Sequence, residues 1–485
     1  MSFRNVFLAA AGTLALTVPA GTVAQETDLT APEGIDPQVL GATTLPARGH
    51  DPMAAIDVAE DPVLSLSERA APMAAFRDAI SSAVARNPSI DEALANLSVA
   101  DAQRDEARAG LFPDVTIGFQ GRQTIDREFS NDPDNVLERS RSLSRYDATA
   151  SVEQAILDFG ATSARIVAAT HRMKSAALEI DATAERVALA AVAAWYDVFA
   201  YRALVSLSES FLANQQKALA SIQDRIDQGV NAPGDLARVE SSIALTGTGL
   251  ARYRRQLANA EARYTELIGA PPPQGLMRAP APDMPAMSRE MAEYLARTSP
   301  AVEAAQERAR AAYHDSRATK ADRLPRVVAG VDAGQYGIFR DREGEDYDVR
   351  ARVSVQQRFF AGTFARADAD VARADAAQAR ALGLEQEAVR EALIAWADMD
   401  ALEDQLAALS ENYIASRRTR DVLAERFFYA RGSLFDVLQA EDNYFAVAGN
   451  YIQALTERDS ARYVLLARTG RLLDALAIPT QESAE

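Results

Sequence analysis

Two matching stretches of the sequence decide the fold: SRYDATASVEQAILDFGATSAR at 144–165 and EDYDVRARVSVQQRFFAGTFAR at 345–366. In each stretch, apolar and polar residues alternate, and a long Pro-free segment follows. The apolar positions are Tyr146, Ala148, Ala150 and Val152 in the first, and Tyr347, Val349, Ala351, Val353 and Val355 in the second. A period of two predicts β-strands with a dry and a wet face, each leading into a helix.

The same pairing extends along the chain and indicates an internal duplication. Asn87-Pro88 resembles Ser299-Pro300 at an offset of 212 residues, as Pro113 resembles Pro325. Further on the offset is 201, and the matched pairs include Arg165 and Arg366, Trp195 and Trp396, Arg225 and Arg426, and Asp235 and Asp436. A polar loop near 124–145, about 11 residues longer than its counterpart near 337–347, accounts for the change of offset.

Each repeat is predicted to contain a short helix, a β-hairpin, a long helix and a second short helix. The first repeat covers 72–270, a Pro-rich linker covers 271–287, the second repeat covers 288–472, and a tail covers 473–485. The predicted elements are hairpin 115–157, long helix 161–228 and helix 235–268, then hairpin 326–359, long helix 363–429 and helix 434–470. Coiled-coil spacing of apolar residues and a rise of 1.5 Å per residue make each long helix about 100 Å long.

The N-terminus has the layout of a cleavable secretory signal peptide, residues 1–24. Arg4 precedes an apolar run from Val6 to Val18, and small residues precede a predicted cleavage after Ala24. Residues 25–71 are rich in Pro and acids, and we expect a mobile leader, with a strap over the folded body as the alternative.

Composition excludes several classes of function. The 485 residues include no Cys and three His and carry a formal charge of −18. The lack of Cys excludes thiol chemistry, disulfides and Cys-ligated zinc, and the acidic balance argues against a nucleic-acid partner. There is no HExxH motif, nucleophile elbow or phosphate loop. His171 and His314 have no second His at ligand spacing and are expected to be solvated or packed, so we predict no enzyme, cofactor or metal site.

Four strands per chain cannot close a barrel in a membrane. An open sheet edge in lipid leaves backbone groups without hydrogen-bond partners, so a membrane sheet needs further copies of the chain. A dimer supplies eight strands, whose interior is filled by side chains, and a trimer supplies twelve, which enclose a lumen. The charged strand faces favour a wet lumen and three chains. The alternative is a small periplasmic sheet packed on helices.

The chain resembles the TolC-like outer-membrane channel proteins of efflux pumps and type I secretion systems. The resemblance covers nearly all of 72–472. It rests on NPSI at 87–90, ARAGLFPDV at 107–115, QAILDFGATSAR at 154–165, AAWYDVFA at 193–200 and RFFYARGSLFDVLQAEDNYF at 426–445. It implies a homotrimer in outer-membrane lipid, with a twelve-stranded β-barrel continued by a twelve-helix α-barrel in the periplasm. It also implies a closable mouth at the turns 229–235 and 430–436, where a periplasmic adaptor protein and an inner-membrane ABC or RND transporter would dock.

The resemblance also assigns residues to a constriction at that mouth. The family has two aspartates there; the first falls on Asp436, and the second falls on Gln439, a departure that weakens the expected cation selectivity. The family arginine of this turn falls on Gly432, with Arg431 beside it. The family aromatic falls on Phe427, which has no hydroxyl for a hydrogen bond.

Each candidate residue also has a purely structural interpretation. Asp436 and its first-repeat counterpart Asp235 are suited to capping a helix N-terminus. Arg165 and Arg366, at the strand–helix junctions, could bridge carboxylates of a neighbouring chain or sit in solvent, and we favour a structural role. Trp195 and Trp396 are expected to pack in the core.

Two functions therefore compete on the sequence alone. The first is a passive exit duct of a tripartite export system, which carries protein or small-molecule cargo across the periplasm and outer membrane. The second is a periplasmic coiled-coil adaptor without a pore, which requires water-soluble segments at 115–157 and 326–359. A periplasmic hydrolase is the least supported, because no catalytic constellation is found.

Overall fold

The computed structural model describes residues 43–46, 55–126, 143–228, 233–282, 284, 287–338, 346–357, 361–429 and 431–480. The predicted signal peptide lies outside them, as do most of the two hairpin loops and residues 229–232. The elements are α1 Met73–Arg86, α2 Pro88–Ala109, β1 Asp114–Gln123, β2 Ser144–Leu157, α3 Ala161–Asp227, α4 Pro233–Ile268, α5 Arg289–Arg297, α6 Pro300–Ala321, β3 Arg326–Tyr336, β4 Asp346–Gln356, α7 Ala361–Phe428, α8 Leu434–Arg468 and α9 Leu472–Ala475.

The four strands form one antiparallel sheet in the order β1-β2-β3-β4. The register pairs Ile117 with Ala150, Ala150 with Ala333, and Ala333 with Val349, so the apolar positions of both hairpins share one face. That face is exposed, with 82% of Ile117 and 66% of Val349 accessible. The predicted fold class of four strands and long helices is confirmed. No described residues pack on the apolar face of the sheet, which we expected to be shielded from water.

Local sequence signals start the helices that leave the sheet. Asn87 caps α2 by accepting a hydrogen bond of 3.0 Å from the Ser89 N–H, and Pro88 occupies the first helical position, where its missing N–H costs nothing. Gly160 joins β2 to α3 with φ of 86°, a left-handed conformation that favours glycine. Asp158 accepts a 2.7 Å hydrogen bond from the Thr162 N–H at the same junction.

Each long helix is flanked by two shorter helices stacked along its length. Near the sheet, neighbouring helices follow the order α2-α3-α6-α7. Toward the far end, the order is α4-α3-α8-α7. The described helices therefore lie four abreast both near the sheet and toward the far end, and the two repeats meet where α3 contacts α6 and α8.

The described part of the predicted leader is packed rather than mobile. Val63 and Leu64 are fully buried in the main core. Asp61 is buried too. It accepts a 3.0 Å hydrogen bond from the Tyr413 hydroxyl and forms a 2.6 Å ion pair with Arg417. Our expectation of a mobile segment is thus wrong for residues 55–71, because α7, more than 350 residues away, supplies the partners of Asp61. These residues form a strap, the alternative that the sequence left open.

A buried ion pair ties the strap and the linker to the second repeat. Arg278 of the linker pairs with Asp459 of α8, and both side chains are almost inaccessible. The same guanidinium donates to the carbonyl oxygens of Ser67 at 2.9 Å and Leu66 at 3.1 Å. Asp459 also accepts from Arg458 at 2.7 Å. Every charge in this cluster therefore has a partner, which buried charges require.

Three short helices, α1, α5 and α9, were not predicted as separate elements. The aromatic ring of Phe76 in α1 packs edge-on against Trp195 at 5.3 Å between centroids. Two residues after the end of α9, Ala477 has a φ of 54°. These helices close the middle of the molecule around the core and do not extend either repeat.

Among the described helices, α3 alone contains a segment long and apolar enough to cross a membrane. Its 18-residue window has a mean hydropathy of 1.3, and 67% of it is buried inside the protein. Many apolar residues of α3, including Trp195 and Tyr196, belong to the main core. Core packing accounts for the apolar character of this segment.

Candidate functional site

The helix ends farthest from the sheet are joined by a small apolar cluster, here called the mouth cluster. It consists of buried Ile222 from α3, Val239 from α4, and Leu434 and Leu438 from α8, with Phe427 of α7 packed against them. Helices of both repeats thus meet here. Burial of a side chain of this size stabilises by about 1.5–3 kcal/mol, so these contacts hold the helix ends together.

Asp436 lies in the first turn of α8 and is exposed. The helix is capped by Ser433, whose hydroxyl accepts a 3.1 Å hydrogen bond from the Phe435 N–H. The carboxylate of Asp436 forms no hydrogen bond or ion pair with any described residue. Capping therefore does not occupy Asp436, although its charge still suits the positive end of the helix.

Gln439 and Asp235 lie close to the same end. Gln439 is exposed one turn after Asp436, so the two side chains point to the same side of α8. Asp235 is half-buried in the first turn of α4, which begins at Pro233. The structure therefore brings Asp235 and Asp436 to one end of the molecule, each in the first turn of a helix.

Phe427 is held by a contact that the sequence did not predict. The Arg225 guanidinium of α3 lies 4.8 Å from the Phe427 ring centroid, and the Arg238 guanidinium of α4 lies 5.7 Å from the ring of Phe435. Both are cation–π contacts from the first repeat to the second. The offset of 201, which pairs Arg225 with Arg426, marked Arg225 as a repeated position but gave no sign of its partner.

Gly432 and Arg431 shape the turn between α7 and α8. A Cβ at Gly432 would lie 3.2 Å from the backbone nitrogen of Phe427, so a side chain at 432 would press on the end of α7. Arg431 is exposed, and its N–H donates to the Arg426 carbonyl at 2.9 Å. Arg431 forms no side-chain ion pair with a described residue of its own chain, and its role in place of the arginine expected at 432 stays a prediction.

The strand–helix junctions carry a charged groove of about 700 Å³ between α2, α3, α6 and α7. Arg165 forms a 2.5 Å ion pair with Asp322 of the same chain, whereas Arg366 lines the groove without an ion pair to a described residue. A hydrogen bond from Thr319, with the positive charges of Arg373 and Arg366, holds the pKa of Asp370 below its usual range.

The two tryptophans and two of the histidines have structural roles. The indole N–H of Trp195 donates to the Met277 carbonyl at 3.0 Å, and that of Trp396 donates to the Met287 carbonyl at 2.9 Å, so each repeat anchors the linker at one point. The rings of His171 and His314 stack at 5.4 Å, a juxtaposition across α3 and α6 that sequence spacing could not show.

The two histidines lie in different surroundings. Glu307 lies 2.5 Å from Nδ1 of His171. Burial, together with the neighbouring His171, lowers the pKa of His314. Among the described residues, no group of three His, Asp or Glu side chains could hold a metal ion.

Comparisons with known proteins agree with this architecture. A sequence model of the family "Outer membrane efflux protein" matches residues 79–270. Outer membrane efflux protein BepC of Brucella suis is 27% identical over 286 residues, which cover 58% of this chain and 62% of BepC. Protein CyaE of Bordetella pertussis is 22% identical over 411 residues, 82% of this chain and 84% of CyaE.

The fold itself is that of solved outer-membrane channels. The outer membrane protein VceC of Vibrio cholerae superposes with a TM-score of 0.71 at 16% identity, over 82% of this chain and 96% of VceC. The predicted outer-membrane location and transport class agree with the family model and with BepC, both of which are described as outer membrane efflux proteins. The first repeat is thus similar to the outer membrane efflux protein family, and the whole chain shares the fold of solved outer-membrane proteins such as VceC.

Proposed function

We propose that three copies of this chain form an exit duct of a tripartite export system. In this proposal the sheets combine into a twelve-stranded barrel in the outer membrane, and the helices form a tunnel through the periplasm. The duct performs no chemistry. An inner-membrane ABC or RND transporter supplies the energy, and a periplasmic adaptor connects the transporter to the mouth.

The proposal rests on two features of the four-stranded sheet, its unpaired edges and its exposed apolar face. Strands β1 and β4 are its edges, and neither pairs with another described strand on its outer side. The apolar face exposes Ile117, Phe119 and Val353 to 82%, 64% and 75%. Unpaired edges and an uncovered apolar face both cost free energy in water, and a closed barrel in lipid removes both costs.

The opposite face of the sheet suits a water-filled interior. Arg352 of β4 lies 2.9 Å from Asp332 of β3, and the Tyr336 hydroxyl donates to Asp348 at 3.2 Å. Charged side chains that pair across strands are stable beside water and are expensive in lipid. The apolar face therefore faces lipid and the charged face lines the lumen.

At the other end, the exposed and unpaired Asp436 supports a role in ion selection. Three copies would place three Asp436 carboxylates around one axis, and a ring of negative charge favours cations over anions. With Gln439 in place of a second acid, the selectivity is weaker than that of two stacked rings. The mouth cluster and the Arg225–Phe427 contact hold this end closed.

The competing adaptor function fits the sheet poorly. An adaptor without a pore needs hairpins that are soluble in water, and the exposed apolar face of the sheet argues against that. The tunnel walls are chemically permissive, so the adaptor and the transporter, rather than the duct, select between protein and small-molecule cargo.

Planar-bilayer recordings test the proposal. The purified protein should form channels that prefer cations, and Asp436→Ala should shift the reversal potential toward anions. Glu457→Ala is the matched control, because Glu457 is an exposed acid on the same helix about 30 Å from the mouth. Absence of channels would overturn the duct, whereas an unchanged reversal potential in Asp436→Ala would overturn only the charge ring.

A further inference from the structure

Three ion pairs join the two repeats along α3 and α6 in a regular ladder. Its rungs are Arg165 with Asp322, Arg172 with Asp315, and Glu179 with Arg308. The α3 members advance by seven residues and the α6 members recede by seven, as expected for antiparallel helices packed at coiled-coil spacing. Within the described part of the chain, these rungs mark the seam between repeats near the sheet.

The duplication shows what the equivalent seam between two copies would contain. Adding 201 to the α3 members gives Arg366, Arg373 and Arg380, all exposed on α7. Subtracting 212 from the α6 members gives Gly110, Gln103 and Asn96 at the end of or within α2. The α7 row is thus wholly positive, and its direct counterparts on α2 are neutral.

Arg373 of this row already pairs with Asp370 in its own helix. The acids of α2 that could face the row from another copy lie between the rung positions. In α6, Ala304, Ala311 and Ala318 lie between or beside the rungs and are almost fully buried. Their counterparts on α2, at an offset of 212, are Glu92, Val99 and Glu106, again seven residues apart. All three are exposed in the single chain, Val99 to 54%.

The rest of the packing follows the same internal symmetry. The contact of α2 with α3 is the repeat equivalent of the contact of α6 with α7. The contact of α3 with α6 has no second example among the described helices. The repeat equivalent of that contact would join α2 to α7. These are the two outer helices of the row α2-α3-α6-α7, so they can meet only between two copies of the chain.

We propose that α2 of one copy docks on α7 of the next, with Glu106 between Arg366 and Arg373 and Glu92 beside Arg380. Val99 packs between Arg373 and Arg380, where Ala311 lies in the intrachain seam. The interface pairs two acids with three arginines by charge complementarity, whereas the intrachain ladder pairs residues rung to rung. This inference rests on the proposed trimer and specifies which residues assemble it.

The difference in charge between the two seams also determines which helices pair within one chain and which pair between copies. Arginines on α7 cannot replace the mixed charges of α3 opposite α6, because Arg380 would then face Arg308 where Glu179 stands. Like charges at close range are repulsive. A second copy therefore adds at the outer edges, and α3 stays paired with α6 of its own chain.

Cross-linking tests this register directly, because the natural chain has no Cys. Gln103→Cys with Arg373→Cys should give covalently linked trimers on a denaturing gel after treatment of the assembled protein with a short bis-maleimide. Gln103→Cys with Asp375→Cys is the matched control, since residue 375 points about 200° away from residue 373 around α7. Equal linking in the two pairs would overturn the proposed register.

The outcomes separate this inference from the proposed function. Trimers of the correct mass without linking of residues 103 and 373 would refute the seam and leave the duct intact. Charge exchange gives a second readout. Glu106→Arg should lower the melting temperature of the trimer, and Glu106→Arg with Arg366→Glu should restore most of the loss. A double variant no more stable than the single one would contradict the pairing.

Discussion

Replacing Phe427 with Leu should make the proposed channel open more often. The ring of Phe427 lies under Arg225 at 4.8 Å and packs against the mouth cluster. Leu keeps most of the apolar contact and removes the cation–π contact, which joins α3 to α7. Because opening requires these helix ends to separate, the substitution weakens the closed state and leaves the open state unchanged.

The size of the effect follows from the number of contacts broken. A cation–π contact at a half-exposed site contributes about 0.5–1 kcal/mol. Three copies that open together would lose about 1.5–3 kcal/mol of closed-state stability, since the three contacts break in one step. A tenfold change in an equilibrium corresponds to about 1.4 kcal/mol, so the open-to-closed ratio should rise by roughly 10- to 150-fold.

Single-channel recording in planar bilayers measures this ratio. Phe427→Tyr keeps an aromatic ring under Arg225 and should behave like the natural protein. Phe428→Leu is the matched control, because Phe428 is 75% exposed and its ring contacts Tyr429 rather than an arginine. An open probability unchanged in Phe427→Leu, or raised equally in Phe428→Leu, would refute the role of the Arg225 contact.

Two further predictions concern stability. Burial raises the pKa of Glu185 to about 8 from 4.5. Between these values the folded protein holds a proton that the unfolded chain releases. The free energy of unfolding should therefore fall by about 1.4 kcal/mol per pH unit as the pH rises from about 5 to 8. Glu185→Gln should remove that slope in thermal melts across this range, and equal slopes in the two proteins would contradict the assignment. Arg278→Met leaves the buried Asp459 with one partner and should cost about 3–5 kcal/mol. The exposed ion pair of Arg254 and Glu209 provides the control, because Arg254→Met should lower the free energy of unfolding by at most about 1 kcal/mol. Similar melting temperatures in the Arg278→Met and Arg254→Met proteins would show that burial of the Arg278 pair does not matter.

The elements that the sequence predicted are those fixed by local pattern. Alternation with a period of two located the strands, and the long Pro-free segments located α3 and α7 to within about two residues at each end. The duplication located the second copy of each element. Such signals are carried by neighbouring residues, so they need no knowledge of tertiary contacts.

The features that the sequence missed depend on partners far away along the chain. The strap looked mobile because it is acidic and rich in Pro, yet Asp61 is buried against Tyr413 and Arg417. His171 and His314 are 143 positions apart and still stack. At the mouth, the residue types of Phe427 and Asp436 were evident, but the Arg225 contact appears only when α3 and α7 are placed side by side.

The central claim is that the edges of the four-stranded sheet find their partners in two other copies of the chain. Native mass spectrometry of the protein, extracted from outer membranes in detergent, tests it most directly. The account predicts one species with three times the mass of the mature chain. A stable single chain that stays soluble without detergent would contradict it.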